Sequence, residues 1–245
     1  MTMRAQQATE TENLSAKRSA MTEDEICRRI RDSVLEQRLA PGTKLTEESL
    51  CSVFGAGRTT VRRAFLLLSR DNIIELQKNK GAVVASPSPR EAREVFEARR
   101  ALEAALVEKA VEKCTAADIE NLRQHLALEE EALRRADIAH WIRLTGEFHL
   151  HVARIARNEP MYHFLEQLVF RTSLIITLYG RHGRSAPSCK GDDHSQIVCA
   201  LEARDSVAAT NVLLHHLEAI EAGLSFSPRD SGQDLHQIFH GAQAS

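Results

Sequence analysis

Apolar positions recur at helical spacing through most of the chain. Over residues 22–38 the stripe is Ile26, Ile30 and Val34, and Thr22 with Glu25 three residues on forms a capping box ahead of it. Pro41-Gly42 breaks that pattern. A short second helix is predicted from an N-cap at Thr46, with Leu50, Val53 and Phe54 as its apolar face and Gly55 as its stop. Gly55-Ala56-Gly57 then makes a tight turn. A third helix starts near residue 58, burying Val61, Ala64, Phe65 and Leu68. Beyond it the period changes. "NIIEL" and "AVVAS" are β-branched runs joined by "QKNKG", which predicts a small hairpin.

Helix, helix, tight turn, helix, hairpin is the order of a winged helix-turn-helix, here residues 21–86. From Ser86 the chain changes character. A Pro/Ser linker leads into about six helical stretches, at 88–113, 115–135, 137–157, 160–181, 190–203 and 205–223. No strand pattern interrupts them, so residues 87–223 are expected to form an antiparallel all-α bundle, and the fold class is mainly α. Residues 1–20 and 224–245 are polar and read as a disordered arm and a flexible tail. His236 and His240 stand four apart in that tail, but a loose segment gives a metal role little weight there.

Composition narrows this only a little. Of 245 residues 43% are hydrophobic but only 4% aromatic, so Leu, Ala and Val must fill the cores. No stretch approaches the ~20 consecutive apolar residues of a membrane span. The first 20 residues contain no apolar core of a secretory signal, so a cytoplasmic location is expected. Cys27, Cys51, Cys114, Cys189 and Cys199 are odd in number and never spaced C-x-x-C, which disfavours a disulfide framework or a thiolate zinc site. They read as small buried hydrophobes.

Charge matters once it is divided. The net charge is −2, yet Gly57–Lys80 holds six basic residues against two acidic ones, while Ser88–Gly223 holds 17 basic against 21 acidic. A local basic patch on an otherwise acidic chain points to a polyanion contact. The third helix explains the patch: Val61, Ala64, Phe65 and Leu68 face the core, whereas Arg58, Thr59, Thr60, Arg62 and Arg63 are placed for a DNA groove. Arginine can fork onto guanine O6 and N7 or pair with phosphate, and free amides at a helix start favour an anion. Lys78 and Lys80 flank a turn at Gly81, which suits a wing tip lying along the backbone.

The stretch "PGTKLTEESLCSVFGAGRTTVRRAFLLLSRDNIIELQKNKGAVV" resembles the DNA-binding domain of GntR-type bacterial regulators. The resemblance implies that Arg58, Thr59, Arg62 and Gly81 contact double-stranded DNA. Gly57 stands where such proteins usually carry a Ser or Thr N-cap, and Glu48 where some carry a basic residue.

Three histidines in the bundle sit on apolar stripes of different helices: His149 among Ile142, Thr145, Val152 and Ala156; His194 beside Ile197, Val198 and Leu201; and His216 beside Leu213, Leu217 and Ile220. One such histidine is ordinarily a satisfied core residue. Three on facing helices can converge on one point, and imidazole suits zinc, nickel or copper. Here "EARRALE", "GEFHLHVARIARNEP" and "DDHSQIVCALEARDSVAATNVLLHHL" resemble the FCD effector domain of the FadR-like branch of the same family. That resemblance implies a divalent metal, zinc or nickel, held by His149, His194 and His216, with an Asp or Asn four residues before His149. Here that position is Thr145. It also implies a carboxylate-bearing effector met by Arg99, whose bland alternative is a surface salt bridge to Glu103.

The expected function is a ligand-responsive transcription regulator that binds a near-palindromic operator as a homodimer. Two alternatives stand beside it. In one the bundle only dimerises and there is no effector. In the other the bundle is a metal-dependent enzyme, but the chain has no Glu-x-x-His, no His-Glu-x-x-His, no G-x-S-x-G and no phosphate loop.

Overall fold

The structure is a computed structural model that describes residues 21–36, 38–78, 80–180 and 193–226. The predicted arm, Cys189, His236 and His240 lie outside the described residues, as does most of the predicted tail.

The N-terminal domain is built from α1 (Glu23–Leu35), β1 (Lys44–Leu45), α2 (Glu47–Phe54), α3 (Arg58–Arg70), β2 (Ile74–Gln77) and β3 (Gly81–Val84). Local chemistry sets the bounds. Thr22 and Glu25 form the reciprocal capping box at α1, and the Thr46 side chain caps α2 at the Ser49 amide. Gly55 closes α2 in the left-handed region at φ 61°. Gly57 begins α3 with no side-chain cap, as the glycine requires. Ile26, Ile30 and Val34 of α1 pack with Val61, Ala64, Phe65 and Leu68 of α3 over the inner face of the sheet.

Two β-branched runs predict a hairpin, and the sheet has a third strand. Its order is β1-β3-β2, with Lys44 opposite Val83 and Ile74 opposite Val84. The two residues of β1 are too short to show a period. Gly81 turns into β3 at φ 83°, and a Cβ there would sit 2.3 Å from the Leu45 carbonyl oxygen. The wing therefore closes against β1 only with glycine at this position.

The bundle comprises α4 (Pro89–Lys113), α5 (Ala116–Arg134), α6 (Ile138–Ile155), α7 (Glu159–Tyr179), α8 (Asp193–Glu202) and α9 (Ser206–Ala222). Capping boxes at Ser88/Glu91 and Thr115/Asp118 start α4 and α5, and Asp137, Asn158 and Asp205 cap α6, α7 and α9. Leu224 and Phe226, assigned by sequence to the tail, pack with Ile175 and Tyr179. Cys27 and Cys114 are buried as expected, but Cys199 is exposed because it falls on the outer face of α8.

Between the domains, the Pro87 carbonyl accepts a hydrogen bond from the Tyr179 hydroxyl at 2.8 Å. Phe170 and Leu174 of α7 belong to the apolar cluster of the N-terminal domain rather than to that of the bundle.

Gly81→Ala should lower stability by about 2 kcal/mol or more, because an L-residue there meets both left-handed strain and a backbone clash. Urea unfolding of the two proteins checks this, and wild-type stability in the variant would remove the argument for the glycine.

Candidate functional site

Three carboxylates organise the centre of the bundle. Glu103 on α4 lies 2.6 Å from His149 Nδ1 on α6 and accepts the Arg99 Nε–H at 2.6 Å. Glu129 on α5 lies 2.9 Å from His194 Nδ1 on α8. Asp193 on α8 lies 3.2 Å from His216 Nδ1 on α9. An ionised carboxylate only accepts, so each Nδ1 carries a ring proton, and a neutral ring then has its lone pair on Nε2. The ligand nitrogens of His149, His194 and His216 lie within 4.8 Å of one another. His194 Nε2 and His216 Nε2 face each other at 3.2 Å. Two lone pairs aimed together at that distance repel unless a cation or proton lies between them.

The protonation states agree. Burial pushes the His149 imidazole down to about 3, and Glu103 offsets only part of this. Burial also lowers His216 despite the Asp193 bond. Burial would raise Glu103, but Arg99 and His149 outweigh it and hold the carboxyl at about 2. Glu129 is held at about 2 against its own burial by His125 and His194. His149 and His216 are thus neutral imidazoles fixed by ionised carboxylates, which are the forms that bind a metal. Glu103, Glu129 and Asp193 against Arg99 leave a charge of −2, less whatever fraction of His125 is protonated beside Glu129. A single divalent ion balances that charge. Two nitrogens on one such ion, each at roughly 2.0–2.1 Å, stand ~3–3.4 Å apart, so the 3.2 Å pair fits.

Beside the cluster is a cavity lined by Arg99, Trp141, Thr145, His149, Ser173 and His216, among others. It leaves about 30 Å³ for water centres, room for about two waters at roughly 10–15 Å³ each. Arg99 is not on the surface: its side chain and that of Glu103 are 3% and 4% exposed. Its Nη2 is buried with no hydrogen-bond partner. The Thr145 hydroxyl donates to the Ile142 carbonyl at 2.9 Å, so it offers only lone pairs to the cavity.

The second group of residues lies on the N-terminal domain. Arg58, Thr59, Arg62, Arg63, Lys78 and Lys80 are exposed, and Thr60 and Gly81 are half-buried. Arg58, Arg62, Lys80 and Gly81 line one groove between α3 and the wing. Arg62 Nε donates to Glu47 at 2.7 Å, and Arg63 lies 3.6 Å from Glu23. Both acidic partners come from neighbouring helices, so helical spacing within α3 gave no sign of them. Leu66 and Leu76, 61% and 48% exposed, add an apolar edge to the same groove.

Residues 22–84 match the family model described as bacterial regulatory proteins of the gntR family, and residues 94–219 match that of the FCD domain. The chain is a gntR-family bacterial regulatory protein with an FCD domain. The HTH-type transcriptional repressor RspR of Escherichia coli K12 is 26% identical over 196 residues, 80% of this chain and 86% of that protein. The Uxu operon regulator of Haemophilus influenzae is 29% identical over 199 residues, 75% of this chain and 74% of its own. In structure, E. coli McbR/YncC superposes with a TM-score of 0.75 at 22% identity, covering 82% of this chain and 95% of the other, which shows the shared fold. The gntR domain binds DNA, and among the described residues no helix is long and apolar enough to cross a membrane.

The structure brings together His149, His194 and His216, which helical spacing turns inward, with Thr145 and Arg99, which the family resemblance adds. Sequence reading misses Glu103, Glu129 and Asp193. Spacing makes Glu103 a surface partner of Arg99, yet its stripe mates Leu106, Val107 and Ala110 are buried. A carboxylate within an apolar stripe is the signal that was available.

Metal-free protein should lose stability on acidification. The unfolded chain protonates His149 near its ordinary 6.5, whereas the folded chain does so only at about 3. Stability is therefore fully present above 6.5 and falls as the pH drops toward 3, by on the order of 1–2 kcal/mol between pH 6.5 and 5. Urea unfolding with chelator present should show that slope, reduced in His149→Asn. An equal slope in the variant would show that His149 is not its source.

Proposed function

We propose that this regulator binds a near-palindromic operator as a homodimer and that a small carboxylate metabolite in the bundle cavity alters its affinity for DNA. The observation that carries the effector half is the Arg99 Nη2 donor, buried and unpartnered beside the histidine cluster. A buried donor without a partner costs roughly 1–3 kcal/mol, and a carboxylate removes that cost. A bundle serving only to dimerise leaves both this donor and the facing lone pairs of His194 and His216 without a purpose.

In this reading His149, His194 and His216 hold a divalent ion, zinc or nickel, with Thr145 at the fourth position. When bound, the ion supplies positive charge against which an anionic effector can sit. Thr145 contributes no charge, so the protein holds metal exchangeably. Arg99 pairs one carboxylate oxygen, while Thr172 and Ser173 line the opposite wall. On DNA, Arg58 and Arg62 reach base edges, Thr59 and Thr60 bond phosphate, and Arg63, Lys78, Lys80 and the Gly81 backbone follow the phosphate chain. Two-fold pairing doubles the few base pairs one winged helix reads. Repression is the output favoured by the name of the E. coli relative.

Arg58→Ala should cost roughly 1–3 kcal/mol on a selected operator and flatten specificity, whereas Lys80→Ala should weaken all sequences alike and reduce the salt slope by roughly one unit. Fluorescence anisotropy at matched salt decides. Equal operator affinity for wild type and Arg58→Ala removes the assignment.

Thr145→Asp should bind zinc or nickel more tightly and gain melting temperature with added metal, an effect that His194→Ala abolishes. If elemental analysis finds no metal in any of these proteins and neither ion moves a melting curve, the metal reading is wrong. Arg99→Lys, which keeps a cation beside Glu103 but removes the spare guanidinium donor, should bind operator like wild type but gain less stability in a thermal-shift panel of citrate, succinate, lactate and gluconate. If one of these still stabilises the variant as it does wild type, Arg99 is structural.

A further inference from the structure

We propose that α7 is the moving wall that couples the histidine cavity to the DNA-binding domain, an inference that rests on the effector reading above. Two stripes of this one helix do different things. Val169, Thr172, Ser173 and Ile176, spaced as one helix face, line the cavity. Phe170 and Leu174, about 100° round the helix, lie buried in the apolar cluster of Ile26, Ile30, Val34 and Ile73. Leu174 is fully buried there. The cavity wall and the floor of the DNA-binding domain are therefore adjacent faces of a single rod.

The cavity must open to admit a metabolite, because as it stands it holds about two waters. Its other walls are costly to move. Among the described residues, α4, α5, α6, α8 and α9 all supply a member of the buried carboxylate–imidazole network, and α7 supplies none. The α7 wall is also the yielding one. Thr172, Ser173 and Thr177 each bond the carbonyl four residues back, at 2.9, 3.3 and 2.8 Å, and such back-bonds bend helices. Against α6 it rests at Gly146, where an added Cβ would meet Val169 Cγ1 at 3.0 Å and, beyond its own helix turn and chain neighbours, no other atom within 4 Å. Gly146 is one turn from His149 on α6. Displacement at the cluster thus reaches Val169 directly and Phe170 next to it, and close-packed interiors pass such shifts on rather than absorbing them. Even the linker follows α7, since Tyr179 holds Pro87.

Hydrogen exchange on the full chain tests this. With Zn²⁺ as the probe, wild type should slow exchange in α6, α8 and α9 and also change it in α1. Phe170→Ala should keep the first effect and lose most of the second. Zinc protection confined to the bundle in wild type, or an α1 response undiminished in Phe170→Ala, overturns the proposal. A second arm needs no ligand. Gly146→Ala should change α1 exchange severalfold although its Cβ meets no α1 atom within 4 Å, and adding Val169→Ala should restore it. If zinc protects nothing, the metal reading falls and this arm decides alone: wild-type α1 exchange in Gly146→Ala overturns the coupling, and a change reversed by Val169→Ala sustains it.

Discussion

Three imidazoles can be buried together only because each Nδ1–H has a carboxylate from another helix to receive it. An isolated buried charge costs several kcal/mol, and so does a buried polar group without a partner. Glu103, Glu129 and Asp193 meet that demand in pairs that cross from α4 to α6, from α5 to α8 and, within the α8–α9 hairpin, from Asp193 to His216. The packing of the bundle and the chemistry of its centre are therefore one network. Arg99 extends it, since without that guanidinium Glu103 would be a fully buried carboxylate with only a neutral ring beside it. Removing any member strands another, which makes the network rigid and its helices poor candidates for movement.

That rigidity gives α7 its distinct place. Its inward residues are Val169, Thr172, Ser173 and Ile176, apolar or singly hydroxylated, with each hydroxyl already bonded to its own backbone. Such a wall shifts without uncovering a charge. Its outward residues Phe170 and Leu174 fill the floor of the other domain, where a void the size of a side chain is destabilising. One helix thus has a wall free of buried charge on the ligand side and close-packed apolar side chains on the DNA side. A signal needs both properties: freedom to respond at the cavity, and no slack where Phe170 and Leu174 meet the DNA-binding domain.

The parts of the fold legible in the sequence are those governed by local rules. The capping box at Thr22, the left-handed Gly55 and the α3 stripe through Val61 and Leu68 fall where spacing places them. The histidine cluster was legible because three largely apolar stripes each carried one histidine. What escaped depends on partners distant in sequence. β1 is two residues long and exists only because β3 lies beside it. Glu103 is 46 residues from His149, and Glu129 is 65 from His194, so no periodicity links them. Phe170 and Leu174 looked like any apolar stripe. Only the fold shows that they leave the bundle core and enter another.

The DNA-facing side follows a different electrostatic logic from the buried network. With a net charge of −2 the chain as a whole does not attract DNA, so the attraction must be local. Yet Arg62 and Arg63 are held by Glu47 and Glu23. Exposed pairs of this kind contribute roughly 0–1 kcal/mol, too little to oppose several phosphates. Their consequence is geometric. Glu47 engages Arg62 at Nε, and a guanidinium bound there still presents both terminal nitrogens, the fork that fits guanine O6 and N7. Arg58 has no ion-pair partner among the described residues and is free to follow the backbone or the base edge. The same residue type is thus used in three ways in one chain: buried with a spare donor at Arg99, tethered by its inner nitrogen at Arg62, and unpaired at Arg58. Burial and the nearest carboxylate, rather than arginine itself, set which of these each position becomes.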